Sequence, residues 1–111
     1  MNQPTLFESK AESESIEEIL LYALGEFQSR GFVLAERELP LDRLLGAFKR
    51  AAEHFKVSEL TDEQIAETLE KIGAKIKRLP GFVAKHPFRI TVSNLLAEKS
   101  LEVYNNSLKN D

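Results

Sequence analysis

At 111 residues the chain has room for one domain around one hydrophobic core. Its 42% hydrophobic and 30% charged residues are those of an ordinary globular protein, and the lack of cysteine excludes disulfides, thiol catalysis and thiolate-bound metals and fits a reducing compartment. No apolar run approaches the roughly 18 residues of a membrane span, and no basic-then-apolar opening marks a secretory signal, so a cytoplasmic location without membrane contact is expected. The net charge of −3 taken alone argues against a general nucleic-acid binder.

Residues 1–14 show no hydrophobic periodicity and carry Glu8, Glu12 and Glu14, which predicts a flexible tail followed by a single helical domain over 15–111. Ser15 and Glu18 have capping-box spacing, and Ile16, Leu20, Ala23, Leu24 and Phe27 then recur at helical intervals until Gly31 supplies a stop. The stretch Phe32 to Leu39 reads equally as a short strand or an irregular connection. Pro40 suits the first turn of a second helix, whose stripe is Leu41, Leu44, Leu45, Phe48, Ala51, Ala52 and Phe55, with Gly46 as a weak point.

A third helix is predicted behind a second capping box, Thr61 with Gln64, flanked by the staple pair Leu60 and Ile65 and led by Asp62 and Glu63. Its apolar side is Ile65, Leu69, Ile72, Ile76 and Leu79, with Gly73 interrupting it and Pro80-Gly81 ending it. Phe88, Ile90 and Val92 alternate with Arg89 and Thr91, the pattern of a strand with one buried face, and Gly81 to Lys85 is a possible partner across a tight turn. A last helix starts near Ser93 or Asn94 on Leu96, Ala97, Leu101, Tyr104 and Leu108, with fraying expected at Asn105, Asn106 and beyond Leu108. The fold class is thus mainly α, about four helices with a small β-hairpin late in the chain. The order of elements resembles a winged helix in topology, without any sequence motif of that family.

The tail holds Gln3-Pro4-Thr5-Leu6-Phe7. This stretch resembles the short peptide with which bacterial proteins dock on the replicase sliding clamp: Gln, two variable residues, Leu, Phe. The resemblance implies that Gln3 hydrogen-bonds at the rim of a pocket on that partner and that Leu6 and Phe7 fill its apolar floor. Pro4 and Thr5 stand at the variable places, and Pro4 favours an extended backbone that loses less entropy on ordering.

Charge is unevenly spread. Lys71, Lys75, Lys77, Arg78, Lys85 and Arg89 lie in residues 71–97, which contain no acid, while the rest of the chain has nine basic and eighteen acidic residues. On a helix, Lys71, Lys75 and Arg78 would form one stripe, with Lys85, His86 and Arg89 following on the turn and the outer side of the strand. Clustered cations without competing carboxylates are what phosphate-backbone contact needs. Asp62, Glu63, Glu67 and Glu70 at the start of the same predicted helix argue against sequence reading in a major groove.

Catalysis is not expected. His54 and His86 have neither a cysteine nor a second His at metal spacing, and the glycines build no phosphate loop. No cofactor is implied. The expected function is a DNA-associated accessory protein that docks on a sliding clamp through its tail and touches DNA through a basic face. The alternatives are a protein-interaction or regulatory module without DNA contact, and a dimeric winged-helix regulator. The oligomeric state is not legible.

Overall fold

A computed structural model describes residues 4–78 and 88–110, and for 4–15 and 110 the backbone alone. The chain runs α1 (Pro4–Ser29), β1 (Glu38–Pro40), α2 (Leu41–His54), α3 (Asp62–Lys71), β2 (Lys75–Arg78), β3 (Phe88–Thr91) and α4 (Asn94–Asn110). Among the described residues these are four helices and one small antiparallel sheet in the order β1-β3-β2, with its two paired long strands late in the chain. No described helix is long and apolar enough to cross a membrane.

The centre of the molecule is α1. Residues 19–25 are buried in succession, so this part of the helix is covered all round rather than along one stripe. Its neighbours are α4, α2 and α3. At Gly25 the backbone of α4 passes so close that a Cβ there would fall 2.5 Å from Tyr104 Cβ and closer still to the Ser100 carbonyl oxygen. One turn on, Gln28 Nε2 donates to the Ala97 carbonyl and to Ser100 Oγ, both at 2.9 Å, which satisfies the polar atoms of the otherwise apolar seam. Ser100 is fully buried and its hydroxyl donates to Ala97 O at 2.8 Å.

Helix α1 begins at Pro4 and not at Ser15. Residues 4–14 contain no glycine and no internal proline, and Pro4 stands in the first turn, where it costs no hydrogen bond, so the backbone continues as helix without an apolar stripe to announce it. The Ser15 capping position therefore lies inside the helix. Gly31, at φ +93°, closes the other end as expected.

Helix α2 buries Leu41, Leu44, Ala47, Phe48, Ala51 and Ala52. It ends in a Schellman motif, with Val57 N–H on Ala52 O and Lys56 N–H on Glu53 O, and Lys56 takes the left-handed conformation at φ 59°. Helix α3 starts on the full capping box: Gln64 N–H donates to Thr61 Oγ1 at 3.1 Å and Thr61 N–H to Gln64 Oε1 at 2.9 Å. Thr61→Ala removes one of these acceptors and should cost about 1 kcal/mol, within 0.5–2. Urea denaturation would show it as a lower midpoint, and an unchanged midpoint would mean that the box adds nothing.

The third helix is shorter than its apolar spacing predicts. Gly73, at φ +113°, makes a second Schellman motif in which Ala74 N–H reaches Leu69 O at 2.8 Å and Gly73 N–H reaches Glu70 O at 3.2 Å. The chain then leaves as β2, so Ile76 sits on a strand. The expected hairpin partner Gly81 to Lys85, with Leu79, Pro80 and Pro87, lies outside the described residues; within them β2 supplies a partner for β3. The ambiguous stretch before α2 gives β1 on the other side of β3, plus a single bridge from Ala35 to Val92. Leu39, Ile76, Phe88 and Ile90 share the inner face of the sheet. Helix α4 begins under Ser93, whose Oγ accepts from Leu96 N–H at 3.2 Å, and Glu36, itself left-handed at φ 59°, adds a carboxylate on Asn94 N–H at 3.1 Å. It stays helical through Asn105 and Asn106 to Asn110.

Candidate functional site

Strand parity decides what the basic residues can do together. The register pairs Lys75 with Thr91, Ile76 with Ile90, Lys77 with Arg89 and Arg78 with Phe88. Because neighbours along a strand alternate faces, Lys75, Lys77, Arg89 and Thr91 share the outer face, while Ile76, Ile90 and Phe88 share the inner one. On the far side of β3, Glu38 and Pro40 of β1 complete the outer face, opposite Thr91 and Arg89. Lys77 and Arg89 are thus direct cross-strand neighbours of like charge. Among the described residues, Lys75, Lys77 and Arg89 make no ion pair and no side-chain hydrogen bond.

The helical stripe of Lys71, Lys75 and Arg78 does not form, since the helix ends at Lys71. Lys71 closes α3 and its Nζ lies 3.4 Å from Glu17 of α1. Arg78 goes to the inner side of the sheet, over the Phe88 ring at 5.3 Å, and its Nη2 donates to Glu63 of α3 at 3.4 Å. Two of the six cations are therefore tied to acids and three gather on one face. Lys85 lies outside the described residues, as does His86. Asp62, Glu63, Glu67 and Glu70 are all exposed along α3.

At the other predicted site, Pro4 to Phe7 are helical in backbone, and Gln3 lies outside the described residues. A docking peptide in extended form would have to unwind this first turn.

A second cationic cluster gave no warning in the charge distribution. Glu26 of α1 takes Arg50 of α2 in a two-pronged pair, Nε to Oε2 and Nη2 to Oε1, both at 2.9 Å, and also Arg30 Nη2 at 3.2 Å. The Arg50 hydrogen bonds hold the Glu26 carboxyl below its ordinary range; burial opposes them and Arg30 adds to them. With Arg43 these arginines border a cleft of about 430 Å³ whose floor is Gly46 and Ala47 and whose wall is Phe27 and Phe32. The available signal was on α2, where Arg43 and Arg50 stand seven apart on one side of the helix.

Among the described residues no three acidic or histidine side chains gather as metal ligands. Compared with known proteins, the chain matches no family model, no curated protein and no solved structure.

Proposed function

We propose that this protein is a nucleic-acid-associated module that holds the phosphate backbone, without reading sequence, on the outer face of β2 and β3. The observation that carries the reading is the Lys77–Arg89 pair. Like charges placed directly opposite on adjacent strands oppose folding, and neither side chain makes an ion pair among the described residues, although Glu38 of β1 shares the outer face on the far side of β3. A polyanion laid across the pair would neutralise both, together with Lys75, and release its own counterions.

The element order, with strands arranged β1-β3-β2, supports a winged-helix arrangement in which the β2–β3 hairpin is the wing. In that arrangement α3 is the helix offered to a major groove. Its four exposed carboxylates would repel phosphate, so contact falls to the wing, and a sequence-specific regulator is the weaker reading.

Lys77→Glu separates this reading from an ordinary solvated face, because it moves stability and binding in opposite directions. It turns a repulsive cross-strand pair into an attractive one and should stabilise the fold by roughly 0.2–1 kcal/mol. The same change should weaken binding to any duplex. A variant that binds duplex DNA as tightly as the parent would sink the proposal.

In the same reading Gln3, Leu6 and Phe7 dock a protein partner, a bacterial sliding clamp by the resemblance of the peptide. The five-residue pattern Gln3 to Phe7 carries this part of the reading. Replacing Leu6 and Phe7 by Ala should abolish binding to purified clamp in calorimetry and leave the melting temperature unchanged. Retained binding would remove the tail from the account.

A further inference from the structure

We propose that the cleft between the end of α1 and the outer side of α2 binds one unpaired nucleotide, with the base stacked on Phe32 and the phosphate held by Arg43 and Arg50. This goes beyond the backbone contact proposed for the hairpin and does not rest on it.

Phe32 is 49% exposed, yet its ring is not loose: it stacks on Phe27 with centroids 5.0 Å apart and planes within 23°. Phe27 is buried, so one face of Phe32 is backed by the core and the ring stands as a supported platform. A flat, supported aromatic face suits a planar partner, and every nucleobase offers one.

Cations stand beside the platform. Arg43 makes no ion pair or side-chain hydrogen bond among the described residues. Arg50 gives Nε and Nη2 to Glu26, which fixes the plane of its guanidinium and leaves Nη1 without a protein acceptor among the described residues. Three arginines against the single carboxylate of Glu26 leave the cleft with an excess of two positive charges. The pair formed with Glu26 therefore acts as a brace for Arg50 and does not cancel the site.

Gly46 is the second observation. It lies in the middle of α2, exposed, where glycine weakens a helix relative to alanine. A Cβ at that position would sit 3.3 Å from Arg50 Nη1, the nitrogen left free by Glu26. The glycine thus keeps the floor of the cleft open beneath the unengaged donor. A cavity of about 430 Å³ is in the range of small-ligand sites. That size favours a compact ligand that carries an aromatic plane and an anion in one unit over a long peptide.

The nucleotide is either free or part of a strand, and two probes on the full chain separate these sources: adenosine 5′-monophosphate by calorimetry, and a short labelled single-stranded oligoadenylate by fluorescence anisotropy. Binding of both means a mononucleotide suffices; binding of the oligonucleotide alone means a strand is required; either supports the site if the variants respond. Phe32→Leu keeps an apolar cover over Phe27 and removes the π-face, and should lower affinity roughly 5- to 140-fold. Arg43→Gln, at an exposed position, should lower affinity and flatten the salt dependence of strand binding by about 0.7. Gly46→Ala should weaken binding, because the added Cβ crowds Arg50 Nη1 on the floor of the cleft. Replacing Lys75, Lys77 and Arg89 by Gln should leave the response to Phe32→Leu intact, so the cleft and the hairpin fail or succeed separately. Unchanged affinity in both Phe32→Leu and Arg43→Gln, or no binding of either probe at low ionic strength, overturns the proposal. So does preference for a peptide bearing acidic and aromatic residues over both probes.

Discussion

Gly25→Ala should destabilise the protein, although alanine is the better helix former by about 1 kcal/mol. Gly25 is buried near the C-terminal end of α1 at the crossing with α4, and the obstacle to a methyl group is mainly backbone: the Ser100 carbonyl, with Tyr104 Cβ beside it. Backbone of one helix cannot rotate away as a side-chain end can, so α4 must move outward and the contacts Gln28 makes to Ala97 and Ser100 must lengthen. Overpacking of this kind costs about 1–3 kcal/mol and at times more. Each kcal/mol lowers the melting temperature of a domain this size by roughly 4–8 °C. Thermal unfolding followed by circular dichroism reads the sign directly. A rise in melting temperature would mean that propensity outweighs packing and that the helices do not approach as described.

Replacing Lys75, Lys77 and Arg89 together by Gln should reduce duplex binding by a similar factor for unrelated sequences. All three lie on one face of β2 and β3, and contacts to phosphate carry no base information. Gln keeps much of the stem and removes the charge, and none of the three supports another side chain by a hydrogen bond among the described residues. Folding should therefore survive, helped by loss of the Lys77–Arg89 repulsion. Competition between labelled duplexes of different sequence is the appropriate assay. A loss confined to one sequence would mean that these hairpin side chains read bases, and would contradict contact with the backbone alone.

Much of the scaffold was legible because it rests on local signals. The capping box at Thr61 and Gln64, the apolar stripe of α2 and the alternation of β3 each need only a few neighbouring residues to declare themselves, and each is present. The boundary of α3 was misread because Ile72 and Ile76 are four apart, as on a helix, while Ile76 also alternates with Lys75 and Lys77, as on a strand. Four residues are too few for periodicity to choose, and the decision falls to Gly73, whose left-handed conformation turns the chain. The start of α1 was hidden for the opposite reason: residues 4–14 permit helix throughout but carry no stripe that demands it.

The same boundary governs the site. An acid-free run from 71 to 97 was visible in the sequence, but its grouping depends on period. Helical spacing puts Lys71 with Lys75 and Arg78, whereas strand spacing puts Lys75 with Lys77 and brings Arg89 across from β3. The acids that take up Lys71 and Arg78 come from α1 and α3, at sequence distances no local pattern reveals. The arginine cleft was hidden likewise, since Arg30 and Phe32 follow α1 while Arg43 and Arg50 belong to α2.

The most direct test of the hairpin proposal is the affinity of the unmodified full chain for a duplex of arbitrary sequence, measured as salt is raised. Three cations engaging three phosphates predict a log–log slope of about −2.7, or roughly a 40-fold loss of affinity when salt rises fourfold. The variant carrying Gln at positions 75, 77 and 89 should lose that dependence. A parent protein whose affinity is flat with salt, or that binds no duplex at low ionic strength, would contradict the proposal and leave the paired cations of β2 and β3 as an ordinary solvated face.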